Sequence, residues 1–244
     1  MIIQYSRKSP TIITVAFFFT VLTLYGCKGT LGIWKKDRHP DVLYSVDTDQ
    51  KAVALTIDDG PDPVSTRLIL DALAENEATA TFFIITDHIP GNEALLEEMV
   101  SSGHELGNHL TRDEPSINLD PPVFESELIR SHTLLSDFSA TDWFRPGSGR
   151  YDDWMLEILA KHDYHCVLGS IYPLDAQITS SWFAKKVILW KVKPGAIIIL
   201  HDAGSRGVRT ARLLADVLPE LRKKGYRIVS LTKLQSIAGS NLHF

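Results

Sequence analysis

From Lys51 onward, short apolar runs alternate with stretches of helical spacing, and this alternation constrains the fold more than any other feature of the sequence. Residues 52–57, 79–85, 143–145, 165–168, 196–200 and 227–230 read as strands, the first a continuous Ala-Val-Ala-Leu-Thr-Ile run. Between them, residues 92–102, 123–138, 152–162, 182–191 and 208–224 have helical spacing. Asp62-Pro63 is expected to start a further helix after the first strand. Pro219 inside the last helical stretch predicts a kink or restart. Strands buried on both faces and separated by helices define a parallel α/β architecture, either an open sheet or a closed barrel.

Upstream of the domain the sequence changes character. Arg7 and Lys8 precede an uncharged run from Ser9 to Cys27, rich in Ile, Val, Phe and Leu between Ile12 and Leu24. A charged flank followed by a short apolar run is the pattern of a secretory signal. Leu24-Tyr25-Gly26-Cys27 resembles a lipobox, although Tyr25 is bulkier than that motif prefers. An uncleaved anchor is the alternative, because the run approaches the ~20 apolar residues needed to span a bilayer. The expected organisation is therefore a signal peptide or membrane anchor over 1–27, a tether over 28–50, one domain over 51–236 and a tail over 237–244. Either reading places the domain at the cell envelope, outside the cytoplasm.

The net charge of -5, without basic tracts, gives no electrostatic reason for a nucleic-acid partner. No feature calls for a protein partner. With two cysteines, Cys27 and Cys166, a thiolate metal cluster is excluded by count. Cys166 is expected in a buried strand.

Three clusters carry candidate chemistry. Thr56-Ile57-Asp58-Asp59-Gly60-Pro61-Asp62 sets two adjacent carboxylates at a strand end, costly unless they meet a cation or a substrate. A solvated turn with a helix cap accounts for Asp62 but not for the pair. In Gly103-His104-Glu105-Leu106-Gly107-Asn108-His109-Leu110-Thr111-Arg112-Asp113, His109 and Asp113 stand four apart, on one face if the segment is helical. Imidazole plus carboxylate suits a divalent ion. Ile197-Ile198-Ile199-Leu200-His201-Asp202 ends an apolar strand in a polar pair, and a histidine there can exchange protons near neutral pH.

With FRPGSG and YPLDA between the second and third clusters, these motifs stand in the order of the NodB-homology polysaccharide deacetylases, carbohydrate esterase family four. The resemblance covers roughly residues 51–236. It implies a distorted (β/α) barrel and a hydrolase that removes N-acetyl groups from a chitin-like or peptidoglycan-like polysaccharide. By the same resemblance Asp58 is the catalytic base and Arg145 the arginine that orients it. His201 is the general acid, and Asp175 holds that histidine. Asp59 and His109 are metal ligands, with Asp113 where the family has a second histidine. Ile199 shapes the acetyl pocket and Pro146 and Gly147 border the substrate, while His104 matches a structural position. The implied cofactor is a divalent ion, zinc first, with manganese, magnesium or cobalt admitted by Asp113. Gly147-Ser148-Gly149 replaces an expected tyrosine, which reduces sugar stacking but leaves a backbone N–H for the oxyanion. Rival readings are a non-catalytic carbohydrate-binding relative, an O-acetyl esterase of the same fold, and a phosphoryl-transfer enzyme. The last is weak, because no GxxxxGK[ST] loop is present.

Overall fold

The computed structural model describes residues 38–239, so residues 1–37, with the signal or anchor segment and most of the tether, and residues 240–244 of the tail lie outside the described part. Within it, eight parallel strands alternate with seven helices. The strands are β1 (Val42–Leu43), β2 (Ala52–Asp58), β3 (Thr81–Ile84), β4 (Glu105–Asn108), β5 (Trp143–Phe144), β6 (His165–Val167), β7 (Ile197–His201) and β8 (Arg227–Val229). The helices are α1 (Ser65–Ala74), α2 (Glu93–Ser101), α3 (Pro121–Ser136), α4 (Asp153–Lys161), α5 (Ser181–Lys191), α6 (Gly204–Lys223) and α7 (Leu231–Ala238). Among the described residues no helix is long and apolar enough to cross a membrane.

The strand order is β1-β6-β5-β4-β3-β2-β7, with β8 pairing with the start of β2 on the β3 side, where the Ile228 carbonyl accepts from the Thr79 N–H. After β6 the chain turns onto β7: Ile171 forms a parallel bridge with Ile198, and the N–H of Ile199 donates to Ile171 at 2.9 Å. The sheet is thereby curled into the barrel expected from the motifs.

Strand alternation sorts the side chains into two layers. Val53, Leu55 and Ile57 of β2, with Phe82, Ile84, Leu106, Ile198 and Leu200, face outward. They pack on Ile69 and Leu73 of α1, Ile188 of α5, and Leu214, Val217 and Leu221 of α6. The inward positions Ala52, Ala54, Phe83, Trp143, Val167 and Ile197 fill the barrel, joined by Leu231 and Leu234 of α7. All seven residues of β2 are buried, which is why that strand lacks polar alternation. Gly107 on β4 has a packing reason: a Cβ there would stand 2.6 Å from the Phe83 ring. The glycine lets that ring lie across the barrel floor.

Three elements depart from the sequence reading. Residues 41–50, taken as the end of a tether, belong to the fold: Val42 and Leu43 pair with Cys166 and Val167, and both are buried. A two-residue strand has too little length to display a period. The GHELGNH stretch contains strand β4 rather than a helical turn, and α6 runs through Pro219 as one helix.

Candidate active site

Five chain segments deliver the expected residues to one end of the barrel. Asp58 ends β2, His109 follows β4, Arg145 follows β5, Asp175 lies in the loop after β6, and His201 ends β7. In parallel β/α folds the carboxyl ends of the strands are where such groups collect. The register fixes one pairing directly, because Asp58 lies beside His201 on adjacent strands, with Thr56 beside Ile199. All four point inward.

Consecutive strand residues normally face opposite sides, so Asp58 and Asp59 would diverge in a regular strand. Asp59 has φ 76°, a left-handed conformation that Asp tolerates better than most residues. The turn brings its carboxylate back to the cleft, 3.5 Å from His109 Nε2. The backbone carbonyl of Asp59 accepts from His88 Nδ1 at 3.0 Å. Five of the seven non-glycine residues with positive φ among the described residues are Asp59, Leu110, Ser148, Leu174 and Ala203. All five sit within three residues of Asp58, His109, Arg145, Asp175 or His201. Each such conformation costs of order 1–3 kcal/mol and persists only where the surrounding structure imposes it.

Arg145 is buried, and its guanidinium is spent on fixing Asp58. Nη1 donates to Asp58 Oδ1 and to Thr56 Oγ1, both at 2.7 Å. Nε donates to the Val167 carbonyl and Nη2 to the Leu168 carbonyl. The Phe83 ring lies 4.1 Å below the guanidinium carbon. Thr56 Oγ1 passes its own hydrogen to the Ile198 carbonyl at 2.7 Å. The carboxylate of Asp58 is thus held by both strand register and a five-point guanidinium network.

On the opposite wall Asp175 accepts from the backbone N–H of His201 and from its Nδ1, each at 3.0 Å. With Nδ1 engaged, Nε2 is the ring atom left to meet a substrate. Burial alone would lower the pKa of His201, but the hydrogen bond and charge of Asp175, with Asp58 and Asp59 nearby, raise it above the usual histidine value. The ring of Tyr172 stands edge-on to His201, with centroids 5.7 Å apart. Ile199 is two residues before His201 on the same face, 5% exposed and packed over Gly169.

His109 Nδ1 donates to the Arg145 carbonyl at 2.7 Å, which turns Nε2 toward Asp59. For Asp59, burial pulls the pKa up, but the hydrogen bond and charge of His109, then His201 and Arg206, bring it below the usual carboxylate value. For His109, burial opposes the charged form, yet Asp59 and Asp58 push its pKa up. The two form one coupled pair.

The third expected ligand does not join them. Asp113 is exposed, and among the described residues no group of three His, Cys, Asp or Glu side chains is placed to hold an ion. The four-residue spacing aligned His109 with Asp113 only for a helix, whereas here a strand ends at Asn108 and Leu110 turns left-handed with φ 61°. An Asp59–His109 separation of 3.5 Å suits two ligands of one ion, but catalytic zinc sites take three protein ligands. The residues present do not fit that three-ligand site.

The Gly147 N–H is also otherwise engaged, donating to Ser116 Oγ at 2.8 Å. Gly147 is buried beneath the Glu114 carbonyl, and Pro146 accepts from the Gly149 N–H. His104 accepts from the Ala80 N–H and packs edge-on to Phe82, and burial lowers its pKa to about 4.

Several contributors were not singled out from sequence. Thr56 and Tyr172 lie inside quoted motifs. Asp202 is fully buried, bound to the hydroxyls of Ser65 and Thr66, and so ties the end of β7 to the start of α1. The end of an apolar strand in a polar pair was the only signal for it. Arg206, in the first turn of α6, reaches Asp59 Oδ2 at 3.2 Å, and no sequence motif marks it.

A parallel barrel with a carboxylate–arginine pair and a histidine–carboxylate pair at the carboxyl ends of its strands defines a hydrolase of the NodB-homology type. Comparison with known proteins agrees: the polysaccharide deacetylase family model matches residues 45–167, and the chain belongs to that family. A peptidoglycan-N-acetylglucosamine deacetylase of Bacillus cereus is 32% identical over 196 residues, 79% of this chain and 92% of the relative. The crystal structure of a peptidoglycan N-acetylglucosamine deacetylase bound to a 4-naphthalen-1-yl-N-oxidanyl-benzamide superposes with TM-score 0.76 at 25% identity, covering 80% and 92% of the two chains. A family 4 acetyl xylan esterase from Clostridium thermocellum, solved with a cobalt ion, gives TM-score 0.71 at 27% identity, covering 78% and 92%.

Proposed function

We propose that this protein hydrolyses N-acetyl groups on an envelope polysaccharide of peptidoglycan or chitin type. The carrying observation is the pair of oriented proton carriers in one cleft, Asp58 fixed by Arg145 and His201 fixed by Asp175. Asp58 takes a proton from water as the water oxygen attacks the acetyl carbon. The carbonyl electron pair moves onto oxygen. When the carbon–nitrogen bond breaks, His201 gives its proton to the departing nitrogen, leaving acetate and a free amine. Base and acid are separate groups with different partners, as hydrolysis near neutral pH requires. Ile199 lines the acetyl side of the cleft, and Pro146 and Gly147 border the sugar. No step is routed through an ion, because the third ligand is out of place. The N-terminal run of residues 9–27 supports an envelope location with membrane attachment.

The dispersed third ligand favours one other reading, a carbohydrate-binding protein without catalysis. Acetate release from peptidoglycan, chitin oligomers and acetylated xylan, with and without divalent ions, separates the two. The wild-type chain is expected to release acetate from an N-acetylated glycan, and Asp58→Asn to lower the rate ~10²–10⁴-fold, the usual worth of a positioned acid or base. Release from xylan alone would redirect the assignment to O-acetyl groups. No release from any glycan would refute catalysis.

A further inference from the structure

We propose that Arg206 is the resident cation of this site: its guanidinium, rather than a divalent ion, neutralises Asp59 and receives the negative charge that builds on the acetyl oxygen. Three independent features lead there. The donor set for an ion is incomplete, with Asp59 and His109 facing each other and Asp113 exposed away from them. A cation already stands on Asp59, since Arg206 Nη1 lies 3.2 Å from Oδ2 while His109 Nε2 lies 3.5 Å from Oδ1. Two other candidate donors are turned away from the cleft: the Gly147 N–H is bound by Ser116, and Arg145 is directed into the strands and Asp58.

The arm that carries Arg206 is built rather than loose. The Gly204 N–H donates to Asp62 Oδ2 at 3.1 Å, and Thr210 Oγ1 donates to the His201 carbonyl at 2.7 Å. At Gly207 a Cβ would fall 2.3 Å from Asp202 Oδ1, so the first turn of α6 lies directly against the Asp202–Ser65 contact. Ala203, with φ 78°, makes the turn from β7 that aims this helix start at the cleft. Arg206 itself keeps 29% of its side chain exposed, open to an entering glycan.

The inference rests on the deacetylase reading and supplies what that reading lacks. As water adds to the acetyl carbon and Asp58 takes the proton, the carbonyl π pair becomes an oxyanion. A guanidinium N–H donates to it and is retained when the carbon–nitrogen bond breaks and His201 protonates the nitrogen. Arg206 is neither consumed nor deprotonated, and no further reactant is needed.

The test uses the full chain, stripped with a chelator and dialysed against zinc, cobalt or manganese chloride, with bound metal counted per chain. We expect no stoichiometric ion on the wild type, and acetate release that persists in chelator. Arg206→Met is expected to lower kcat ~10²–10³-fold, the loss typical of one oxyanion donor, and Arg206→Lys to recover part of it. Wild-type protein that holds one ion per chain, released by Asp59→Asn, overturns the proposal, as does an unchanged rate in Arg206→Met. Should the wild type release no acetate under any condition, the deacetylase reading fails, while metal stoichiometry still decides what cation Asp59 holds.

Discussion

Replacing Arg145 by Met keeps most of the side-chain length and removes the charge and every N–H. Arg145 is 2% exposed, and its guanidinium donates to Asp58, Thr56 and the carbonyls of Val167 and Leu168. The substitution strands Asp58, a carboxylate only 4% exposed, and leaves two strand carbonyls without that donor. Removing one member of a buried ion pair typically costs about 3–5 kcal/mol, because the other charge stays behind uncompensated. In a domain of this size that lowers the melting temperature by roughly 6–20 °C. Urea unfolding of the wild type, Arg145→Met, Asp58→Asn and the double variant measures the coupling directly. If the cost arises from the stranded carboxylate, Arg145→Met is much less damaging when Asp58 is already Asn. Equal cost in both backgrounds would show that the guanidinium serves the strand carbonyls and Phe83 rather than the base. A total cost below about 1 kcal/mol would refute the buried-pair argument altogether.

Two further perturbations test neighbouring parts of the site. In its proposed role as the acid, His201 works only while protonated, so its contribution is present below its raised pKa and is lost as pH rises through it. Asp175→Asn removes the largest raising influence and leaves burial, so the alkaline limb of kcat/KM is expected to move to lower pH; a lower rate with an unmoved limb would show that Asp175 does not tune the histidine. Gly147→Ala places a Cβ 2.1 Å from the Glu114 carbonyl oxygen, a backbone atom that cannot rotate aside. The strain is expected to cost about 1–3 kcal/mol or more in urea unfolding, and an unaltered midpoint would mean that the Glu114 segment yields freely.

The parallel architecture was legible because strands buried on both faces leave an unbroken apolar run, as at residues 52–57, while amphipathic helices keep a period. That Asp58 and His201 share one rim was equally implicit, since the carboxyl ends of parallel strands lie on the same side of a sheet, whereas the direct pairing of their strands was not. The reading faltered where local conformation departed from the assumed period. His109 and Asp113 align in a helix, but β4 runs to Asn108 and a left-handed Leu110 sends Asp113 to solvent. Asp59 shows the opposite case. Its alternation would have pointed it out of the cleft, and only a positive φ, invisible in the sequence, turns it in beside Asp58. Arg206 was unreadable for a third reason. Its partner lies 147 positions earlier, and a partly exposed arginine in a first helical turn carries no pattern of its own. Together these three turns set the charge of the site: one removes a carboxylate from the ion position, one adds a carboxylate to the cleft, and one brings a guanidinium to meet it. The placing of Asp58 beside His201 follows from strand register, whereas the proposed identity of the cation follows from loop geometry, and so the same motifs in another chain need not hold the same ion.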